Sequence, residues 1–189
     1  MVITARSHQL GAALLRIVAG IIMLWAGLEK LLGTPGGFSA AGFLKFGTAG
    51  SLAWPFVTGE PAKDAVFNPL QGFWVSLAGN GGLMPVVNFL VVAGEIAIGI
   101  ALILGLATRF ASIMGALMML FFFLATWNFA YGIVNQQLTY LVVFLAIGGM
   151  GAGKYYGLDN AAAGTALARS NAWIRRWILS GDPVAEATA

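Results

Sequence analysis

Residues 110–153 run for 44 positions without a single Asp, Glu, Lys or Arg. A hydrocarbon layer about 30 Å thick is crossed by about 20 largely apolar residues in a helix. The run is therefore long enough for two crossings and the turn between them. The turn signal is NFAYGIVNQQ, from Asn128 to Gln137, where four side-chain amides interrupt the apolar pattern. Composition points the same way: the chain is 59% hydrophobic and 9% charged, against about 25% charged in a soluble domain. So few charges cannot cover a folded chain in water.

Two further apolar stretches flank a longer mixed one. The spans expected are residues 10–32, 84–106, 107–127 and 137–153. The first is longer than the ~7–15-residue apolar core of a signal peptide, so it reads as a retained span. The fold class expected is all-α: an integral membrane four-helix bundle over residues 1–160. A long extracytoplasmic segment, 33–83, joins helices 1 and 2. Residues 161–189 form a C-terminal amphipathic helix and a tail.

The basic residues orient this arrangement. With four spans, Arg6, Arg16, Arg109, Lys154, Arg169, Arg175 and Arg176 all fall on one side, and the turn between spans three and four carries none. An excess of Lys and Arg marks the cytoplasmic side. Both termini are then cytoplasmic, in the cell inner (plasma) membrane. The net charge of +3 reads as topology and contact with lipid headgroups, not as a nucleic-acid footprint.

The external segment is too aromatic for a plain loop. It carries Trp54, Phe56, Phe73 and Trp74 among others, with breaks at Pro55, Pro61 and Pro69. Short helices at the outer leaflet, or a docking surface for a partner, fit it equally. In the tail, Trp173, Ile174, Trp177 and Ile178 share one broad helical face over residues 163–180. Trp173 and Trp177 are the expected headgroup contacts there.

Glu95 is the sharpest chemical feature. A carboxylate near the middle of a span costs several kcal/mol unless it is paired, neutral or facing a wet cavity. It reads either as a site for proton transfer or a polar ligand, or as half of a structural ion pair. Arg16 is the expected partner, at a vertical offset of roughly 7–9 Å on a 1.5 Å rise. Arg16 reaching alone to the headgroups is the alternative. Glu29 and Lys30 close the first span and either pair with the external segment or form an ordinary charged helix end. Arg109 opens the third span as a boundary marker. Asn128, Asn135, Gln136 and Gln137 form a polar rim, and Tyr140 lies one turn further in, placed to line a cavity with them.

Other patterns carry no chemistry. GGMGAGKY at 148–155 resembles a phosphate-binding loop but ends in Tyr155 and follows no strand. Its glycines suit close helix contact instead, with Gly149 and Gly153 at small-xxx-small spacing. Met114, Met118 and Met119 read as packing. With no cysteine and one histidine, His8, the chain has no thiolate centre, no bis-histidine haem and no nucleophile–base pair.

Arg16, Gly20, Gly27 and Lys30 give R-x3-G-x6-G-x2-K. Glu95, Gly99, Leu102, Gly105 and Arg109 give E-x3-G-x2-L-x2-G-x3-R, and a glycine-rich run later leads to Gly157–Leu158–Asp159. In this the chain resembles the DoxX/DoxD family of four-helix membrane proteins over residues 10–159. Its long external segment resembles the longer forms, such as the DoxD subunit of thiosulfate:quinone oxidoreductases. The resemblance implies a membrane subunit of a redox assembly, and it is the assembly that passes electrons to quinone, with Arg16, Lys30, Glu95 and Arg109 as the family positions.

The function expected is thus an anchor subunit of a respiratory or quinone-linked oxidoreductase, with a quinone pocket or proton path. Its partners are other membrane or peripheral redox subunits and membrane lipids. No cofactor is held by this chain alone; a quinone and lipids are the candidate ligands. A small proton-coupled carrier built on Arg16 and Glu95 is the second reading. A purely structural accessory subunit is the third.

Overall fold

The computed structural model describes residues 5–33, 37–46, 48, 68–127 and 134–180, and these are helical wherever they are regular. Helix α1 spans Ala5–Leu32, α2 Ala41–Phe46, α3 Gln71–Gly79, α4 Leu83–Leu104, α5 Thr108–Thr126 and α6 Gln136–Gly149. Two short helices, α7 (Asp159–Ala163) and α8 (Ala166–Ser170), follow.

Helices α1, α4 and α5 are long and apolar enough to cross a membrane. Helix α6 has 14 residues, about 21 Å at 1.5 Å per residue, short of a hydrocarbon core. The expected fourth span, 137–153, ends early because Gly151 turns left-handed (φ 60°) and residues 152–154 tighten into a 3-10 turn. The α4–α5 boundary falls within two residues of expectation. Gly105, at φ 66°, caps α4, a conformation glycine adopts at no steric cost.

The family-type glycines build the α1–α4 seam. A Cβ on Gly99 would lie 2.5 Å from the backbone nitrogen of Leu24, and one on Gly27 would lie 2.7 Å from the Ile96 side chain. A Cβ on Gly20 would lie 2.9 Å from the Gly99 carbonyl and from Ile103. The backbones therefore touch, as small residues allow in lipid, where dispersion rather than water release drives helix pairing. These contacts fix an antiparallel register. Leu28 lies level with Glu95, and Leu32 level with about Val91.

That register leaves a step. Helix α4 continues eight residues past the end of α1, about 12 Å. Residues 40–44 and 74–78 fill it: Ala40, Leu44, Trp74 and Ala78 form a second core with Met84 of α4 and Ala125 of α5. The Ala40 amide donates to Asn88 Oδ1 at 2.9 Å. Asn68 Nδ2 donates to the carbonyls of Leu124 and Ala125 at 2.8 and 2.9 Å, satisfying acceptors that the end of α5 would leave open. The main core joins Met23, Ile98, Leu102, Met119, Phe144 and Ile147, so Met119 is packing, with Met114 and Met118 against it.

The tail departs from the expected continuous amphipathic helix. Thr165 caps α8 and Asn171 ends it, so residues 163–180 are broken into α8 and a π-turn at Ile174–Ile178. The break divides the expected face. Ile174 and Ile178 turn inward onto Ala163, Ala168 and Leu179, while Trp173 and Trp177 stay exposed.

Candidate functional site

Glu95 is buried between helices at 2% exposure, and its partner is Lys30. Lys30 Nζ lies 2.9 Å from Glu95 Oε1 and 2.8 Å from Oε2. A third donation, at 3.3 Å, goes to the Ala26 carbonyl in the preceding turn. All three ammonium protons are thereby used. The Phe38 ring lies 5.9 Å from Nζ, within cation–π range. Phe38, between α1 and α2, thus borders the pair.

The expected Arg16–Glu95 pair is absent from the structure, and the register explains why. Glu95 is level with Leu28, twelve residues and about 18 Å along α1 from Arg16. Arg16 is fully buried and donates to main-chain carbonyls instead. Nη1 reaches Leu102 O at 2.7 Å and Ile103 O at 3.4 Å; Nη2 reaches Tyr156 O at 3.2 Å and Tyr155 O at 3.4 Å. One planar fork thus ties the end of α4 to the loop after α6. Gly105 makes room for it, since a Cβ there would overlap the guanidinium.

A cavity of about 280 Å³ opens beside the Lys30–Glu95 pair. Its polar edge is Lys30, Glu95, Gln136, Gln137 and Tyr140; its walls include Met23, Met119, Phe122 and Phe144. Gln136 Nε2 donates to Tyr140 Oη at 3.2 Å, so the Tyr140 hydroxyl keeps its own proton for another acceptor. Gln137 makes no hydrogen bond through its side chain among the described residues. At its inner end the cavity meets Phe144, with Leu102 and Ile147 fully buried in the same core.

The remaining candidates sit apart. Glu29 is exposed on α1, outside the cavity lining. Arg109 does more than mark a boundary: Nη1 donates to the Arg176 carbonyl at 2.6 Å, tying α5 to the tail. Trp74 is buried in the second core rather than offered to a partner, because α3 packs it under α2. Phe73 is exposed. Trp54 and Phe56 lie outside the described residues. The small-xxx-small reading of Gly149 and Gly153 also changes. Gly149 faces open space, whereas a Cβ on Gly153 would overlap Asp159 and Thr108.

Asp159 is the residue that sequence reasoning undervalued. It is fully buried. Oδ2 accepts from the Thr108 amide at 3.2 Å and the Ser180 amide at 2.9 Å. A carboxylate at the start of α5 also meets the positive end of the helix dipole. The available signal was its isolation: between Glu95 and Asp182 it is the sole acidic residue. Asp159→Ala is expected to leave two buried amides unpaired, at about 1–3 kcal/mol each, and to release the tail from α5. Limited proteolysis should then cut within residues 164–180 well before the bundle. A tail as resistant as in the parent protein would show that Asp159 does not hold it.

Apolar membrane-length helices closed around an intramembrane ion pair define a helical integral membrane protein. The DoxX family model matches residues 11–127, more than half of the chain, and the protein belongs to the DoxX family. The match covers α1 to α5; the α6 side of the cavity lies beyond it. No curated protein and no solved structure matches the chain.

Proposed function

We propose that this DoxX protein is a membrane subunit of a quinone-linked oxidoreductase, of DoxD type, whose cavity binds a quinone head. The observation that carries this is the cavity beside Lys30 and Glu95. Its volume of about 280 Å³ lies just below the ~300–1,000 Å³ range of sites for drug-sized molecules, suited to one ring. Apolar walls with few convergent polar groups are the usual composition of such a site. Tyr140 and Gln137 would hold a quinone carbonyl through a hydroxyl and an amide that the protein leaves available. A bound quinone supplies a two-electron, two-proton acceptor. The electron donor would sit on another chain.

The same reading places four spans in the plasma membrane with both termini cytoplasmic. Its support is that Arg16, Arg109, Arg175 and Arg176 cluster at one end, with His8 beside Tyr155. Buried Phe144, Leu102 and Ile147 below the cavity favour a dead-end pocket over a through-going carrier path.

The test is titration of the purified full-length protein with a short-tailed benzoquinone, read by tryptophan fluorescence. Saturable quenching is expected, and Tyr140→Phe should weaken it by about three- to tenfold, the worth of one hydrogen bond. Wild-type protein that shows no saturable binding would remove the quinone reading. Mild detergent extraction should also recover a redox partner; a partner-free monomer would count against a subunit role.

A further inference from the structure

Helix packing around the cavity is uneven. Helix α1 packs along α4, α4 along α5, and α5 along α6, but α1 and α6 touch only sparsely. Among the described residues the ring of four helices is therefore nearly open on one side. The cavity lies behind that opening. Ala19, Ile22 and Ala26 line it from α1, and Gln136, Tyr140 and Val143 line it from α6. On each helix these residues recur at intervals of three and four, one stripe facing the gap.

The two stripes are graded along the membrane normal. Toward mid-membrane the rims are aliphatic, Ala19 and Ile22 against Val143, and Ile22 is 38% exposed. Toward the outer end they become polar, with Lys30, Gln136 and Tyr140. A head that needs hydrogen bonds therefore belongs at the outer end. An apolar tail that cannot fit in about 280 Å³ has, among the described residues, a lipid-matched exit between Ile22 and Val143.

We infer that the gap between α1 and α6 is a lateral portal. Through it a membrane-dissolved ligand with a small neutral head and a long apolar tail enters sideways from the hydrocarbon layer. Its head comes to rest beside the Lys30–Glu95 pair, and its tail stays in the gap. This rests on the quinone reading for the identity of the head, but the route itself does not require a quinone.

The chain has no cysteine, so two thiols can be placed without background. Ile22→Cys with Val143→Cys, reconstituted in phosphatidylcholine vesicles, is bridged with a short bis-methanethiosulfonate. The probes are a decyl-tailed benzoquinone, the same ring without a tail, and a phosphatidylcholine with a diazirine in its acyl chain. Bridging is expected to weaken the tailed quinone by about tenfold or more, to spare the tailless ring, and to be reversed by reducing agent. In the unmodified protein the diazirine chain should label Met23, Tyr140 or Phe144; in the double variant bridging should abolish that label.

Tailed-quinone binding unchanged by bridging would overturn the portal while leaving the quinone site in place. Failure of both quinones on unbridged protein would overturn the quinone reading alone. The portal would then stand or fall on the diazirine label. Labelling of the cavity residues that bridging removes sustains it, and no labelling in the wild-type protein overturns it.

Discussion

Lys30→Met is expected to destabilise the protein more than any other single change at the site. It leaves the Glu95 carboxylate, 2% exposed, with no cation between two apolar helices. Removing one partner of a buried pair costs about 3–5 kcal/mol. The lower end applies here, because the Lys30 side chain remains 27% exposed. For a chain of this size about 3 kcal/mol is roughly 6–12 °C in Tm. Thermal unfolding in mild detergent measures this directly. Lys30→Met combined with Glu95→Met should recover most of the loss, since an apolar pair of similar volume replaces a buried ion pair at little cost. A double variant as unstable as the single one would mean that Glu95 is held by something other than Lys30.

The second large effect separates Arg16 from the Lys30–Glu95 pair. Exchanging charges across Arg16 and Glu95 (Arg16→Glu with Glu95→Arg) is expected to fail completely. The two positions are about 18 Å apart along α1, so each new charge arrives where no counter-charge waits. Lys30→Glu with Glu95→Lys keeps opposite charges in contact and should retain a substantial folded fraction. Arg16→Lys should fall between wild type and Arg16→Met. Lysine keeps the charge but cannot span Leu102 and Tyr156 with one rigid fork. Each charge-assisted bond lost is worth about 1.5–3 kcal/mol. Size-exclusion profiles and Tm order the variants. Rescue by the Arg16–Glu95 exchange would refute the register.

The separation has a functional consequence. Arg16 acts at the Gly105 end of α4 as a staple on main-chain carbonyls, near Asp159. Lys30 and Glu95 act about 18 Å further along α1, at the edge of a cavity. The two family motifs are the two faces of one antiparallel seam: the glycines let the backbones touch, and a charged residue near each end fastens it. Activity changes caused by Arg16 variants should therefore track stability. Those caused by Tyr140→Phe should appear at unchanged Tm.

The sequence by itself determined that this chain is helical and built for a membrane. The length of the uncharged run, the spacing of the apolar stretches and the turn at Gly105 are local properties, readable without knowing what lies beside what. Glu95 was legible for the same reason, since a lone carboxylate in an apolar span must have a reason to be there. Its partner was not legible. Pairing depends on the sliding register of α1 against α4, and glycine contacts set that register to within one residue. Depth measured from the middle of each span misses it, because α1 and α4 are staggered by about 12 Å. The same holds for Asp159 at the start of α5 and for Trp74 beneath α2. Their environments come from segments 51 and 30 residues away in the chain, at Thr108 and Leu44. The cavity and its opening belong wholly to the tertiary structure: they exist because α6 barely meets α1.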